Sequence, residues 1–171
     1  MSLEIERKFL LKSLPSKEPV EKIDIHQWYL KNSDGVWERA RGCYSDTKGS
    51  YFVHTIKKSI DVGINDEQEK YIGQLEFNQF VEDCKLTQSR YISKRRFIYF
   101  DGDLKWEVDL FTGGHHLIIA ELEIPTIDFQ FELPKFISDK LILEVTGFKQ
   151  FRNRNLSNKL NKKSKSIPTI L

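Results

Sequence analysis

Charged residues recur two apart in one predicted strand after another, and this alternation constrains the fold more than any other feature of the chain. Residues i and i+2 of an extended strand share a face. The sets are Glu4, Glu6 and Lys8; Arg39 and Arg41; Glu67 and Glu69; Lys94 and Arg96; Glu107 and Asp109; and Glu121 and Glu123, with Lys57 on the same face as Thr55 and Val53. Most of these strands have an apolar opposite face: Leu3, Ile5 and Phe9 in the first, Ile118, Ala120, Leu122 and Ile124 in the last. Like charges side by side on a sheet repel. A closed sheet relieves this by turning its charged face into a solvated lumen, pairing acids with bases across it, and turning its apolar face toward covering helices. The competing arrangement is a sandwich with its charged faces in water, and for Glu4 to Lys8 alone, a solvated edge strand protected by charge. Repeated like-charged pairs, in place of Thr, Ser and Gln mixed with single charges, favour the lumen.

Strands are predicted at 3–11, 25–31, 35–44, 50–58, 66–72, 90–100, 104–111 and 116–124. Turn signals separate them at Ser33-Asp34-Gly35, Asp46 to Gly49, Asp101-Gly102-Asp103 and Gly113-Gly114. A helix is predicted over 74–86, where Phe77, Phe80, Val81 and Cys84 recur at i, i+3, i+4 and i+7. A second is expected near 134–141, with Pro134 in its first turn, and a short extra strand at 144–146. Many short antiparallel strands and few helices imply a barrel or a sandwich.

The 171 residues, 39% of them hydrophobic, suit a single domain with a sizeable core. The net charge of +2 conceals an asymmetry: residues 152–171 carry six basic residues and no acid, leaving 21 basic against 25 acidic elsewhere. We expect one domain over 1–156 and a basic, flexible tail over 157–171, without catalytic role. No run of about 18 apolar residues and no basic-then-apolar leader is visible, so a cytoplasmic protein without a membrane span is expected. Cys43 and Cys84 lack the paired spacing of a zinc site and read as core thiols. His115 and His116, adjacent and beside Gly113-Gly114, have poor geometry for a metal and read as an exposed loop. No Gly-rich phosphate loop, Ser-His-Asp set or dinucleotide fingerprint is present.

The charged faces divide by chemistry. Glu4, Glu6, Asp109, Glu121 and Glu123 offer carboxylates to a divalent metal, while Lys8, Arg39, Arg41, Lys57, Lys94 and Arg96 offer donors to phosphate. Hard cations such as Mg2+ or Mn2+ take carboxylate oxygens and keep positions open for water and substrate, and arginine forks bind phosphoryl oxygens in pairs. So many cations imply several phosphates in a row, and the division fits phosphoryl or nucleotidyl transfer.

With these residues in view, the sequence resembles the CYTH family, the triphosphate tunnel metalloenzymes. Its Glu-x-Glu-x-Lys signature is matched by Glu4, Glu6 and Lys8. The resemblance continues through Gln27-Trp28-Tyr29-Leu30, Arg39-Ala40-Arg41, Thr55-Ile56-Lys57, Trp106-Glu107-Val108-Asp109, Ala120-Glu121-Leu122-Glu123 and Glu144-Val145-Thr146-Gly147, ending at Asn153-Arg154-Asn155-Leu156.

The resemblance implies an α+β, mainly β fold: an eight-stranded antiparallel closed barrel with a charged lumen and a few covering helices. It implies hydrolysis of inorganic triphosphate, with the five acids holding Mg2+ or Mn2+ and the six bases holding the substrate. Lys8 is then expected to orient a terminal phosphate and, when deprotonated, to help activate water. Tyr29 is similar to a family tyrosine that positions substrate; a tyrosine packed in the core is the alternative. Glu67 and Glu69 match a pair that orders the neighbouring arginines. Lys149 reads as an exposed loop lysine or an added phosphate contact.

One position departs from the pattern. Asn65 stands where family members often have arginine, with Arg90 and Arg95 as possible compensators that point outward. Two other functions remain open: a class IV-type adenylate cyclase or an organic-triphosphate phosphatase, whose pocket Trp28, Trp37 or Trp106 would line, and a non-catalytic polyphosphate- or RNA-binding module. The expected partner is a small-molecule triphosphate, with no membrane or nucleic-acid partner, and the chain is expected to act as a monomer or homodimer.

Overall fold

The computed structural model describes residues 2–31, 36–87, 90–112 and 116–161. Its strands are β1 (Ser2–Leu11), β2 (Glu21–Lys31), β3 (Trp37–Ser45), β4 (Gly49–Asp61), β5 (Ile64–Ile72), β6 (Arg90–Asp101), β7 (Leu104–Phe111), β8 (Ile118–Glu123) and β9 (Leu141–Glu144). The helices are α1 (Gln74–Leu86), α2 (Lys135–Ser138) and α3 (Asn153–Asn161). The sheet order is β5-β4-β3-β2-β6-β7-β8-β1-β9, and a further β5–β1 pairing closes the first eight strands into an antiparallel barrel. β1 makes the closure by dividing its length: Ser2 to Ile5 pair with β5, and Glu6 to Leu11 pair with β8. Beyond β5 the free edge of β1 is taken by β9, where Phe9 faces Glu144.

The apolar faces point outward and are covered, as the alternation requires. Phe9, Trp106, Val108, Ala120 and Leu122 pack under α2 and the chain leading to it, with Phe129, Phe131 and Leu133 against them. Trp28 and Ala40 pack under Phe77, Val81 and Cys84 of α1. Trp106 is 0% exposed and lies 5.6 Å from Phe9 and 6.0 Å from Phe131 between ring centroids, so its truncation leaves a cavity costing about 3–5 kcal/mol.

The inner face is charged only over its middle. On one side of the charged belt Ile23, Ile25, Cys43 and Ile98 pack together. On the other, Tyr29, Ile92, Phe111 and Ile119 close against Leu156 of α3. These apolar belts reduce water access from both sides and strengthen every charge interaction between them.

Several elements differ from the sequence-based expectation. β2 begins four residues earlier, because the Glu21 carboxylate accepts from Ser45 Oγ at 2.5 Å and Lys48 Nζ at 3.1 Å, tying this end to the β3–β4 turn. The helix expected at 134–141 is the single turn of α2, and the extra strand lies at Leu141–Glu144, not at 144–146. Arg7 donates a bidentate fork to Glu144 at 2.5 and 2.7 Å, which holds β9 to β1. Helix α3 spans Asn153–Asn161, where the sequence predicts no helix. Residues 162–171, the Ser33-Asp34-Gly35 and Gly113-Gly114 turns and His115 lie outside the described residues; His116 is exposed. Cys43 and Cys84 are buried free thiols. Among the described residues no helix is long and apolar enough to cross a membrane.

Candidate active site

Strand register brings the charged side chains of the middle belt onto one cavity of about 590 Å³, within the range of small-molecule sites. β1 contributes Glu4, Glu6 and Lys8, β3 Arg39 and Arg41, β4 Lys57, β5 Glu67 and Glu69, β6 Lys94 and Arg96, and β8 Glu121 and Glu123. Twelve of the fourteen residues singled out in the sequence thus line one space. Tyr29 and Asp109 do not line it.

The β6–β7–β8 wall is saturated with ion pairs. Arg96 donates to Asp109 at 2.7 and 2.8 Å and to Glu121 at 3.3 Å, and pairs with Glu107 as well. Lys94, 2% exposed, pairs with Asp109, which is 0% exposed. Burial alone would raise the carboxyls, but Arg96 and Lys94 hold Asp109 below the usual range, and Lys8, Lys94 and Arg96 hold Glu121 well below it. Burial, reinforced by Arg96 and opposed by Asp109 and Glu121, brings Lys94 down to about 8. Asp109 thus lies behind the cavity wall and not on the cavity itself. Its two oxygens are engaged by a guanidinium and an ammonium beneath the cavity wall.

The wall built by β1, β4 and β5 is under-neutralised. Glu6 stands directly opposite Glu123, a like-charge cross-strand pair. Lys57 serves three carboxylates at once, pairing with Glu4, with Glu67 at 3.0 Å and with Glu6 at 4.0 Å. Burial, with Glu6 and Glu67 adding to it against Lys57, pushes the Glu4 carboxyl up to about 7. Asn65, in the position of the family arginine, offers only a neutral amide donor to Glu4 at 3.4 Å. Arg95 points outward to Asp24, and Arg90 lies over Trp37, so neither compensates.

This wall fits a hard divalent cation by its chemistry. A carboxylate that burial and neighbouring carboxylates push toward its neutral form, and a facing acid pair, are what such an ion stabilises. Among the described residues no three metal-binding side chains converge at coordination distance. The carboxylates are engaged by Lys57 and Lys8 instead.

Lys8 donates to Glu121 at 2.5 Å and lies 3.2 Å from Glu6. Burial pulls its ammonium down, but these two carboxylates outweigh burial and raise its pKa above the ordinary lysine value. At neutral pH Lys8 therefore carries its proton. Its backbone is pinned too: Lys8 N–H donates to Thr146 Oγ1 at 2.9 Å, and its carbonyl accepts from Val145. Arg39 donates to Glu67 at 2.7 Å and Arg41 pairs with Glu69.

A second, smaller cavity of about 110 Å³ adjoins the first and shares Glu6, Lys8, Arg39, Lys57 and Asn153 with it. Tyr29 lines this one, 5% exposed, with Gln27 donating to its hydroxyl and burial pushing its phenol up to about 12. The tyrosine is thus both a core aromatic and a cavity-lining residue. Of the three tryptophans only Trp37 reaches a cavity, while Trp28 and Trp106 belong to the outer cores. Sequence reasoning gave no site role to Arg152, Asn153 and Arg154, which α3 and the residue before it bring to the small cavity; the resemblance runs through Asn153-Arg154-Asn155-Leu156, and Leu156 is an apolar residue among basic ones. Lys149 is exposed and lines neither cavity.

No family model matches the chain, and no curated protein matches it. Among solved structures it is similar to the inorganic triphosphatase NE1496, at 26% identity and TM-score 0.60 over 99% of each chain. A conserved hypothetical protein from Pyrococcus furiosus, at 18% identity and TM-score 0.50, covers 80% of this chain and 84% of its own. The protein PH1819 from Pyrococcus horikoshii, at 16% identity and TM-score 0.51, covers 73% and 80%. The last two show a shared fold.

Proposed function

From a resemblance to the CYTH family that holds in fold and along the whole chain, we propose that this protein is a hydrolase of inorganic triphosphate. The observation that carries the reading is the closed lumen itself. Seven cations contributed by five strands line it beside an acid-rich wall, and the fold match to an inorganic triphosphatase extends over 99% of both chains.

In this reading water attacks a terminal phosphorus, the bridging P–O bond breaks with its electron pair on the leaving pyrophosphate, and the water proton passes to solvent. Arg39, Arg41, Lys57, Lys94 and Arg96 bind the phosphoryl oxygens and offset the charge that grows on them. Lys8, held protonated by Glu121 and Glu6, clamps a terminal phosphate. Tyr29 keeps its proton and donates from the adjoining cavity. Glu67 and Glu69 fix the guanidinium planes of Arg39 and Arg41. Glu4, Glu6 and Glu123, with Glu121 at their edge, would hold Mg2+ or Mn2+. A divalent ion there supplies Lewis-acid stabilisation of phosphoryl oxygen and lowers the pKa of water.

Phosphate release from tripolyphosphate, ATP and thiamine triphosphate, measured beside cyclic AMP formation, tests this. The expected order puts tripolyphosphate first, with activity lost in chelator and restored by Mg2+ or Mn2+. Higher catalytic efficiency on ATP, or cyclic AMP as product, transfers the protein to the nucleotide reading. Tight binding without turnover makes it a polyanion-binding module.

A further inference from the structure

The two cavities differ in charge. The larger is lined by seven cations and eight carboxylates, the smaller by five cations, Lys8, Arg39, Lys57, Arg152 and Arg154, against only Glu6 and Asp61. Among the described residues the charged groups acting on Arg154 are Arg152 and Arg90, so that burial and two further guanidiniums press its pKa down. A cationic pocket with few carboxylates is stabilised by an anion, and it needs no metal to accept one.

The pocket is also built. Gly63 and Gly147 hold positive φ of 69° and 85°, and a Cβ at Gly147 would meet Val62 at 2.6 Å, so glycine is what lets the tip of the β4–β5 hairpin close one side. Leu156 seats α3 on the inner apolar belt and thereby fixes the other side. By the measure in which one water occupies about 10–15 Å³, 110 Å³ holds a phosphoryl group with its oxygens. It does not favour a nucleobase: the Trp37 ring already carries the guanidinium carbons of Arg154 at 4.5 Å and Arg90 at 5.0 Å, with the Tyr29 ring 6.5 Å away.

We propose that the small cavity is a phosphate subsite beyond the triphosphate lumen, in which Arg152 and Arg154 receive the fourth phosphate of linear polyphosphates. The proposal rests on the triphosphatase reading for where the first three phosphates lie. Tetrapolyphosphate then loses its lumen-end phosphate to water, the broken bridging bond leaving its electron pair on triphosphate, with a proton released to solvent.

The ratio of kcat/KM for tetrapolyphosphate to that for tripolyphosphate is the readout. It should fall at least 10-fold in Arg152→Gln/Arg154→Gln and return to within about 3-fold of wild type in Arg152→Lys/Arg154→Lys. Because Arg154 packs on Trp37, Arg152→Gln alone serves if the double variant does not fold, with a fall of at least 3-fold expected. A ratio unchanged in the glutamine variants, or ATP turned over more efficiently than tetrapolyphosphate by wild type, overturns the subsite. If wild type hydrolyses neither inorganic substrate, the triphosphatase reading fails separately, and calorimetry in chelator decides the subsite. Tetrapolyphosphate binding at least 10-fold tighter than tripolyphosphate in wild type, with the difference abolished in Arg152→Gln, supports it; equal affinities in wild type overturn it.

Discussion

Two walls of the same lumen carry similar side chains and opposite physics. On the β6–β7 wall, Asp109 is enclosed by Lys94 and Arg96 and its charge is matched. On the β1–β5 wall, Glu67 takes Arg39 as well as Lys57 and Glu6 lies beside Lys8, but among the described residues Glu4 has Lys57 alone of the cations, shared with both, and Glu6 faces Glu123 of β8. A matched buried set is expensive to disturb and contributes rigidity; an unmatched set is relieved by an incoming cation. In the proposed function the first wall would act as scaffold for the guanidinium and ammonium that meet phosphate. The second is where a divalent cation would find uncompensated charge.

The largest expected effect separates them by stability. Asp109→Ala leaves Lys94 and Arg96 buried without their principal partner, a loss of about 3–5 kcal/mol. Urea unfolding of the metal-free protein measures it, and a loss below about 1 kcal/mol would mean that this wall is not matched as described.

Glu6→Gln and Glu123→Gln should do the reverse. Each removes one charge from a repelling pair, so folding stability should rise in Glu123→Gln and hold in Glu6→Gln, where lost attraction to Lys8 offsets the relief, while triphosphatase activity falls about 100-fold, the scale of losing a charge-stabilising group in an active site. Melting temperature and kcat on tripolyphosphate, taken together, distinguish this from simple unfolding. A variant that melts lower and keeps its activity would exchange the roles of the two walls.

The inner face was legible in the sequence because a period of two is a strong signal when it repeats in seven strands, and Arg39 and Arg41 or Glu121 and Glu123 admit no other common face. Depth was not legible. Alternation puts Asp109 and Glu123 on the same side of the sheet, and only the barrel's closure makes one 0% exposed and leaves the other exposed. Helix α3 was hidden because Asn153 to Asn161 reads as a polar tail; its order comes from Leu156 meeting Tyr29, Ile92, Phe111 and Ile119, contacts distant in sequence. The small cavity was hidden for the same reason, being made where that helix meets the β4–β5 hairpin.

The scaffold wall also predicts a pH response. Lys94 is brought down to about 8, so its ammonium is lost as pH rises through that value. KM for tripolyphosphate should then rise several-fold between pH 7 and 9 with less change in kcat, and Lys94→Arg should flatten the rise. Stability moves the other way: between about 8 and the ordinary lysine value the unfolded chain binds the extra proton, so this group's contribution improves with pH. Lys8, held protonated, should add no alkaline rise of its own, and Lys8→Arg should keep turnover within about 10-fold of wild type, well short of the ~100-fold loss expected of a missing base. A loss of that size would restore Lys8 as the base.

The smallest effect comes from Asn65→Arg, which places a cation beside the under-neutralised acids. Glu4, at about 7, keeps its proton in the folded state over a window where the unfolded chain has released it, so stability from this group falls as pH rises from about 4.5 to 7. A guanidinium near Glu4 favours the charged form and should remove that fall, raising the melting temperature of the metal-free protein at pH 8 by about 2–4 °C for roughly 1 kcal/mol. Asn65 lines the small cavity, which gives the longer side chain room. The same guanidinium competes with a divalent ion for Glu4, so the Mg2+ or Mn2+ concentration giving half-maximal activity should rise about 3- to 10-fold, equivalent to about 0.7–1.4 kcal/mol. Both shifts should appear in one variant, since one unmatched carboxylate is the source of each. A higher melting temperature with unchanged metal demand would separate Glu4 from the metal and leave Glu6 and Glu123 to hold it.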